Sequence, residues 1–211
     1  MKILIASMNR GKIREFRQIL AGCGIAQFTD LTEHAELPPV QETGPTFLTN
    51  ACLKAGQYAR MLETWSLADD SGLEVDALQG KPGVFSARWA AMHNAGAGDW
   101  DNNALLLRQL AALPAQRRTA RFMCAVALAE PRGRVVLTAS DSVEGRILTE
   151  PRGSGGFGYD PLFLVEALGK TTAELPADEK NRISHRGKAL RRMAALIQRA
   201  LLPLSHGFNP I

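Results

Sequence analysis

The sequence predicts an α/β fold: a mixed central sheet flanked by helices. Two observations carry this. The N-terminal third alternates short apolar runs with helical patterns in the order β-α-β-α-β, which lays strands side by side in parallel. Farther along, two long apolar stretches, 118–130 and 134–145, meet at the turn Pro131-Arg132-Gly133 and read as an antiparallel pair. At 211 residues the chain can hold one substantial core, or one core with a lobe, and is read as a single domain over 1–211.

The elements follow in order. Residues 2–7 form a short apolar first strand. Over 11–20, Ile13, Phe16, Ile19 and Leu20 recur at helical spacing, and Gly22 and Gly24 stop the helix. Residues 26–29 suggest a second strand, and 30–43 a long polar loop with Pro38-Pro39. Pro45 or Thr46 opens a helix through about Glu63, and residues 66–68 form a third strand that ends in two carboxylates. The middle is looser: 73–78 and 86–90 flank the turn Gln79-Gly80-Lys81-Pro82-Gly83, and 93–99 is a glycine-rich loop. A helix from Asp99 or Trp100 through about Leu113 is stopped by Pro114. Residues 171–180 are short and mixed in pattern. Ser184 N-caps a final helix through about Leu202, and 203–211 is a flexible tail.

Composition excludes several classes. Hydrophobic residues are 45% and charged residues 22%, the balance of a soluble globular chain and not of a disordered one. No apolar run approaches the ~20 residues a membrane span needs, and the N-terminus turns polar too early for a signal peptide. The expected compartment is the cytoplasm. Cys23, Cys52 and Cys124 are scattered and odd in number, which argues for free thiols and against a disulfide framework or zinc site. The net charge of +4 is compatible with an anionic ligand.

Four segments carry chemistry. Ser7-Met8-Asn9-Arg10-Gly11-Lys12 joins the first strand to a helix, so its backbone N–H groups, the helix dipole, Lys12 and Arg10 favour an anion. A P-loop is excluded by register, because Ala6 and Ile13 stand where glycine and Ser/Thr are required. A plain strand–helix turn capped by Asn9 is the simpler alternative. Asp69-Asp70-Ser71-Gly72 offers carboxylates for a divalent cation, yet consecutive strand residues face opposite sides, so only one aspartate serves a given metal. Glu42 is the best second acid, ahead of Glu74 and Asp76. Between Gly153 and Pro161 four glycines in nine residues imply tight turns or close approach to a ligand. There Phe157 and Tyr159 are planes suited to stacking on a base, and Asp160 suits a base edge or a turn cap. Ser184-His185-Arg186 offers a histidine at a helix start, where the dipole disfavours its cation, and a guanidinium fork.

Taken together, and with Glu42-Thr43-Gly44, Asn50-Ala51, Pro82-Gly83, Ser86-Ala87-Arg88, Ala173-Glu174-Leu175 and Glu179-Lys180, these segments resemble the Ham1/inosine triphosphate pyrophosphatase family over about residues 2–201. One departure is Met8, where the family's first motif has glycine. The resemblance implies two lobes with the active site in the cleft between them, a homodimer, and no nucleic-acid or membrane partner. It implies Mg²⁺-dependent hydrolysis of ITP, dITP and XTP to the monophosphate and pyrophosphate, cleansing the nucleotide pool of deaminated purines. It also implies roles: Asp70 as acid/base and metal residue; Glu42 as a second metal ligand; Ser7, Asn9, Arg10, Gly11, Lys12 and Lys180 on the triphosphate. Ser71, Phe157, Gly158, Tyr159, Asp160, His185 and Arg186 would enclose the nucleoside. Three rivals differ in what an assay sees. A Maf-type pyrophosphatase would begin Ser-x-x-Arg-Arg; a non-catalytic RNA binder would show salt-dependent binding without turnover; a phosphatase would release orthophosphate.

Overall fold

The computed structural model describes residues 2–21 and 27–201. Cys23, the Gly22/Gly24 helix stop and the expected tail at 203–211 lie outside the described residues. The strands are β1 (Lys2–Ile5), β2 (Gln27–Asp30), β3 (Trp65–Val75), β4 (Thr119–Ala129), β5 (Val135–Ile147), β6 (Phe163–Val165) and β7 (Lys170–Thr171). They form one sheet in the order β2-β1-β3-β4-β5-β6-β7. β1 is parallel to β2 and β3, and every later pairing is antiparallel, so the sheet is mixed as expected. The helices are α1 (Arg10–Leu20), α2 (Phe47–Leu62), α3 (Trp89–Met92), α4 (Asp99–Gln109), α5 (Ala177–Ile183) and α6 (His185–Leu201).

Period-2 alternation sorts the strand side chains onto two faces. Ile3, Ile5, Leu67, Cys124, Val126 and Leu128 pack against α1 and α6 through Phe16, Leu190 and Met193. Leu4, Ala6, Ala68, Ala125, Ala127 and Ala129 pack against α2 through Ala51, Ala55 and Ala59. Small residues on both partners let that helix lie close to the sheet. A third core, with Leu73, Val75, Phe122, Val143, Ile147 and Phe163, sits under the far halves of the same long strands. One sheet therefore spans three cores, and residues 69–72 lie where the third meets the first two.

Two expected boundaries are corrected. β3 does not end at Ala68. It runs unbroken to Val75, because β4 pairs with it residue for residue from Ser66↔Ala129 to Val75↔Ala120. The carboxylates thus sit mid-strand. α4 ends at Gln109, not near Leu113, because the Arg118 guanidinium takes the carbonyls of Leu110 (2.8 Å) and Leu113 (3.0 Å) and holds that segment in tighter turns. β6, β7 and α5 were not resolved by pattern; they are two to seven residues long, too short for periodicity to show.

Candidate active site

A cavity of about 370 Å³ opens where these cores meet. Its lining includes Ser7, Asn9 and Lys12 on one side, Glu42, Lys54, Asp70 and Ser71 on the floor, and Phe157, Lys180, His185 and Arg186 opposite.

The first wall is the turn from β1 into α1. Asn9 is the N-cap: its Oδ1 accepts from Lys12 N at 3.0 Å, and Ser7 Oγ accepts from Asn9 N at 3.2 Å. The simple capping alternative is therefore real, and it coexists with Ser7, Asn9 and Lys12 lining the cavity. Met8 does not appear among the residues with positive φ, so the turn does not require glycine there. Arg10 is exposed and lies outside the cavity, along a separate surface depression with Arg14 and Arg17. Gly11 also stays off the lining. A Cβ there would fall 2.9 Å from the Phe157 ring, so Gly11 admits that ring against α1.

The floor shows the alternation expected of consecutive aspartates. Asp70 points to the α2 side, where Asn50 Nδ2 donates to its Oδ2 at 3.0 Å. The Asn50 Oδ1 accepts from Gly44 N at 2.7 Å, so one fully buried amide anchors both Asp70 and the loop bearing Glu42. Lys54 Nζ donates to Glu42 Oε1 at 2.6 Å. Burial is the largest influence on Asp70 and raises its pKa. Glu42 adds to this, and Lys54, Lys12 and Asn50 oppose it without cancelling it. Burial would lower Lys54, but Asp69, Asp70 and Glu42 together hold it above its usual value.

Asp69 points the other way. Its Oδ2 pairs with Lys12 Nζ (3.0 Å) and Arg186 Nε (3.2 Å) and accepts from Ser71 Oγ (3.1 Å). Burial would raise its pKa, but Lys12, Arg186 and Lys54 drive it well below the carboxylate range. Glu74 and Asp76, the weaker acid candidates, pair with Arg121 away from this cavity.

The opposite wall is an ion network. Glu15, on α1, accepts from Lys180 Nζ (3.0 Å) and from an Nη of Arg186 (2.5 Å). The other Nη donates to Ser71 Oγ at 2.7 Å. Lys180 also donates to Asp160 Oδ2 at 2.7 Å, and both cations stand over the Phe157 ring, 5.0 and 5.5 Å from its centroid. Asp160 acts as a turn cap: its Oδ2 accepts from Phe157 N and its Oδ1 from Thr172 Oγ1. The Tyr159 ring is core, and its hydroxyl donates to Ser86 O. Lys180 thus sits beside Phe157, not beside Lys54 and Asp70. His185 stacks on Phe122 at 4.9 Å, and its buried Nδ1 has no partner among the described residues. Burial, then Arg186 and Lys180, hold its pKa well below 6.5, so it is neutral. Gly187 makes this corner possible: a Cβ there would fall 1.8 Å from Asn181 O, so α6 can begin against α5 only without one. Ser184 Oγ caps it through Gly187 N.

Sequence reasoning missed Asn50, Lys54 and Glu15. Asn50 left a signal, a polar residue on the apolar stripe with Phe47 and Ala51. Glu15 and Lys54 left none, since their partners are distant in sequence.

Among the described residues no cluster of three or more His, Cys, Asp or Glu side chains is placed to hold a metal. Mg²⁺ asks for less, one or two carboxylates with waters and phosphate oxygens completing the shell. Asp70 and Glu42 both line the cavity, and the Glu42 charge disfavours that of Asp70. A divalent cation would relieve that repulsion, so the donor set fits.

The Ham1 family model matches residues 3–196. A dITP/XTP pyrophosphatase of Exiguobacterium sibiricum is 49% identical over 197 residues, 93% of this chain and 97% of the relative. One from Desulforamulus reducens is 48% identical over 199 residues, 94% and 96%. A HAM1 protein from Coxiella burnetii superposes with a TM-score of 0.83 at 40% identity, covering 95% of this chain and all of that one. A nucleoside-triphosphatase / dITP/XTP pyrophosphatase from Mycobacterium abscessus gives 0.72 at 42%, covering 92% and 97%. With match and cleft in agreement over nearly its whole length, the chain belongs to the Ham1 family.

Proposed function

We propose that this chain hydrolyses deaminated purine nucleoside triphosphates, ITP, dITP and XTP, to the monophosphate and pyrophosphate, and so clears them from the nucleotide pool. One observation carries the reading: the buried Asp70 and the half-buried Glu42 with its own lysine share a cavity with Ser7, Asn9 and Lys12 at the start of α1. The names of the relatives supply the substrate class.

The roles divide by position. Ser7, Asn9, Lys12 and the α1 N-terminus take the phosphate chain, and Lys54 faces it from the floor. Asp70 orients the attacking water and accepts its proton; burial makes it a better base than an exposed aspartate. Mg²⁺ held by Glu42 and Asp70 would supply charge neutralisation and an acidified water. Phe157, Lys180, His185 and Arg186 form the nucleoside end. Neutral His185, with its unpaired nitrogen, and the fixed Arg186 fork suit the 6-oxo group of hypoxanthine and xanthine. Adenine's 6-amino group would leave a buried donor unmatched, a penalty worth ~10⁴-fold where the site is built for the oxygen. The enzyme works in the cytoplasm as a homodimer. Trp100, 79% exposed on α4, is apolar surface that a second copy would cover, and no helix among the described residues is long and apolar enough to cross a membrane.

The test uses purified protein with Mg²⁺ and, separately, ITP, XTP, GTP and ATP, scoring pyrophosphate against orthophosphate. Pyrophosphate from ITP and XTP, with ATP and GTP largely intact, is expected. Orthophosphate, or no metal-dependent product, would refute the reading.

A further inference from the structure

The loop carrying Phe157 is not held by its own residues alone. Gly158 N donates to Asp99 Oδ2 at 2.6 Å, and Gly158 O accepts from Asn103 Nδ2 at 2.8 Å. Both polar groups of one peptide residue are therefore gripped by one turn of α4. The Asn103 amide also donates to Asp99 O at 2.8 Å. Both of its partners are carbonyl oxygens, which fixes the NH₂ group as the one facing them. Gly158 lies at φ +63°, a conformation most residues avoid, so the loop needs an external hold to keep this shape. The neighbouring residue is Phe157, whose ring lies under Lys180 and Arg186 and against Gly11. Asp99 itself reaches the cavity lining.

We propose that Asp99 and Asn103 are positioning residues for nucleotide binding: by clamping the Gly158 backbone they fix the plane of Phe157 at the nucleoside end of the cleft. This rests on the reading of the cleft as a nucleotide site. Neither residue touches the carboxylate floor, so the clamp acts on binding and not on the chemical step.

Two measurements test it. The first needs no nucleotide: amide hydrogen exchange at Gly158 in the whole protein, for wild type, Asp99→Ala and Asn103→Ala. Exchange is expected to accelerate in Asp99→Ala, which removes the acceptor, and in Asn103→Ala, which frees the carbonyl side. Unchanged exchange in both would overturn the clamp. The second is steady-state turnover of ITP. Losing one hydrogen bond should raise KM by roughly fivefold with kcat within about twofold. Asp99→Asn, which keeps an acceptor oxygen, should restore most of the loss. In a Phe157→Leu background Asn103→Ala should add little, because the plane it positions is gone. Faster exchange with an unchanged KM, or effects that simply add to Phe157→Leu, would mark the clamp as structural and overturn the positioning role. A wild type that turns over no triphosphate would overturn the cleft reading, while the exchange arm still decides the clamp.

Discussion

Consider Asp69→Asn. The side chain is 1% exposed and its Oδ2 serves Lys12 at 3.0 Å and Arg186 at 3.2 Å. Asparagine keeps the size and can place its amide oxygen where Oδ2 faces both cations, so what the change removes is the charge. Lys12 loses its counter-ion, and the almost fully buried Arg186 loses one of its two, keeping Glu15. Breaking a buried pair in this way costs about 3–5 kcal/mol. For a chain of this length that is roughly a 6–20 °C fall in Tm. The pH dependence gives a sharper check. Asp69 has its folded pKa depressed, so its contribution is fully present above the unfolded aspartate value near ~4 and is lost as pH falls towards the folded value. By pH 3 the unfolded chain binds the proton and the folded one does not. The gap between wild type and variant should then be about 1.3 kcal/mol smaller than at pH 7. Urea unfolding of both proteins at pH 7, 5 and 3 measures this. A loss under about 1 kcal/mol at pH 7, or a gap that does not narrow at pH 3, would refute the assignment of Asp69 as the shared counter-ion.

Asp70→Asn should behave differently: burial and Glu42 disfavour its charge, but Asn50 Nδ2 and Ser71 N both donate to the carboxylate and one of them would meet the new NH₂. The gain from losing the charge is set against one lost hydrogen bond, so stability should stay within about 1–2 kcal/mol of wild type while turnover falls at least ~10³-fold, read by urea unfolding beside the pyrophosphate assay. Asp70 with its pKa raised destabilises the folded state when ionised, so this gain should vanish as pH falls below the folded value and both proteins become neutral there. Lys54→Met removes a cation that opposes the rise at Asp70, so the acid limb of the kcat/KM profile should move to higher pH; an unmoved limb would detach Lys54 from Asp70. Gly72→Ala places a methyl 2.4 Å from Ser86 Oγ and 2.6 Å from Gly83 O, and should cost about 2–4 kcal/mol by thermal unfolding.

Much of this was legible in the sequence where the signal is local. Asn9 three residues before Lys12 gives the cap of α1, and Ser184 three before Gly187 gives that of α6, because capping depends on fixed short offsets. The opposed faces of Asp69 and Asp70 follow from strand geometry alone. What stayed hidden depends on long-range pairing. Nothing near residue 68 says that β3 continues, because its continuation is dictated by β4, over fifty residues later. Glu15 meets Lys180 and Arg186, 165 and 171 positions away, and looks from sequence like one more solvated helix charge. Asp160 and Tyr159 fitted a ligand contact as well as a structural bond; both line the cavity, and Phe157 N, Thr172 and Ser86 O supply the structural bonds.

The alternation at residues 69 and 70 explains how two chemically identical neighbours acquire opposite properties. One strand step turns Asp69 towards α1 and α6, onto Lys12 and Arg186, which keep it ionised, and turns Asp70 towards α2, beside Glu42, where its charge is disfavoured. The first carboxylate aligns Lys12 and Arg186; the second is free to hold a metal or a proton. A pair acting jointly on one metal would need both carboxylates on one face, which a continuous strand forbids and the unbroken β3–β4 ladder enforces. It follows that transferring the acid one place, as in the double change Asp70→Asn with Ser71→Asp, cannot restore turnover. The new carboxylate would face Arg186 and double the charge on the Asp69 side, leaving the Glu42–Lys54 pair without the carboxylate beside it. Recovery of activity in that double variant would mean that the strand can slip or bulge here, and that the division of labour between the two aspartates is not imposed by the sheet.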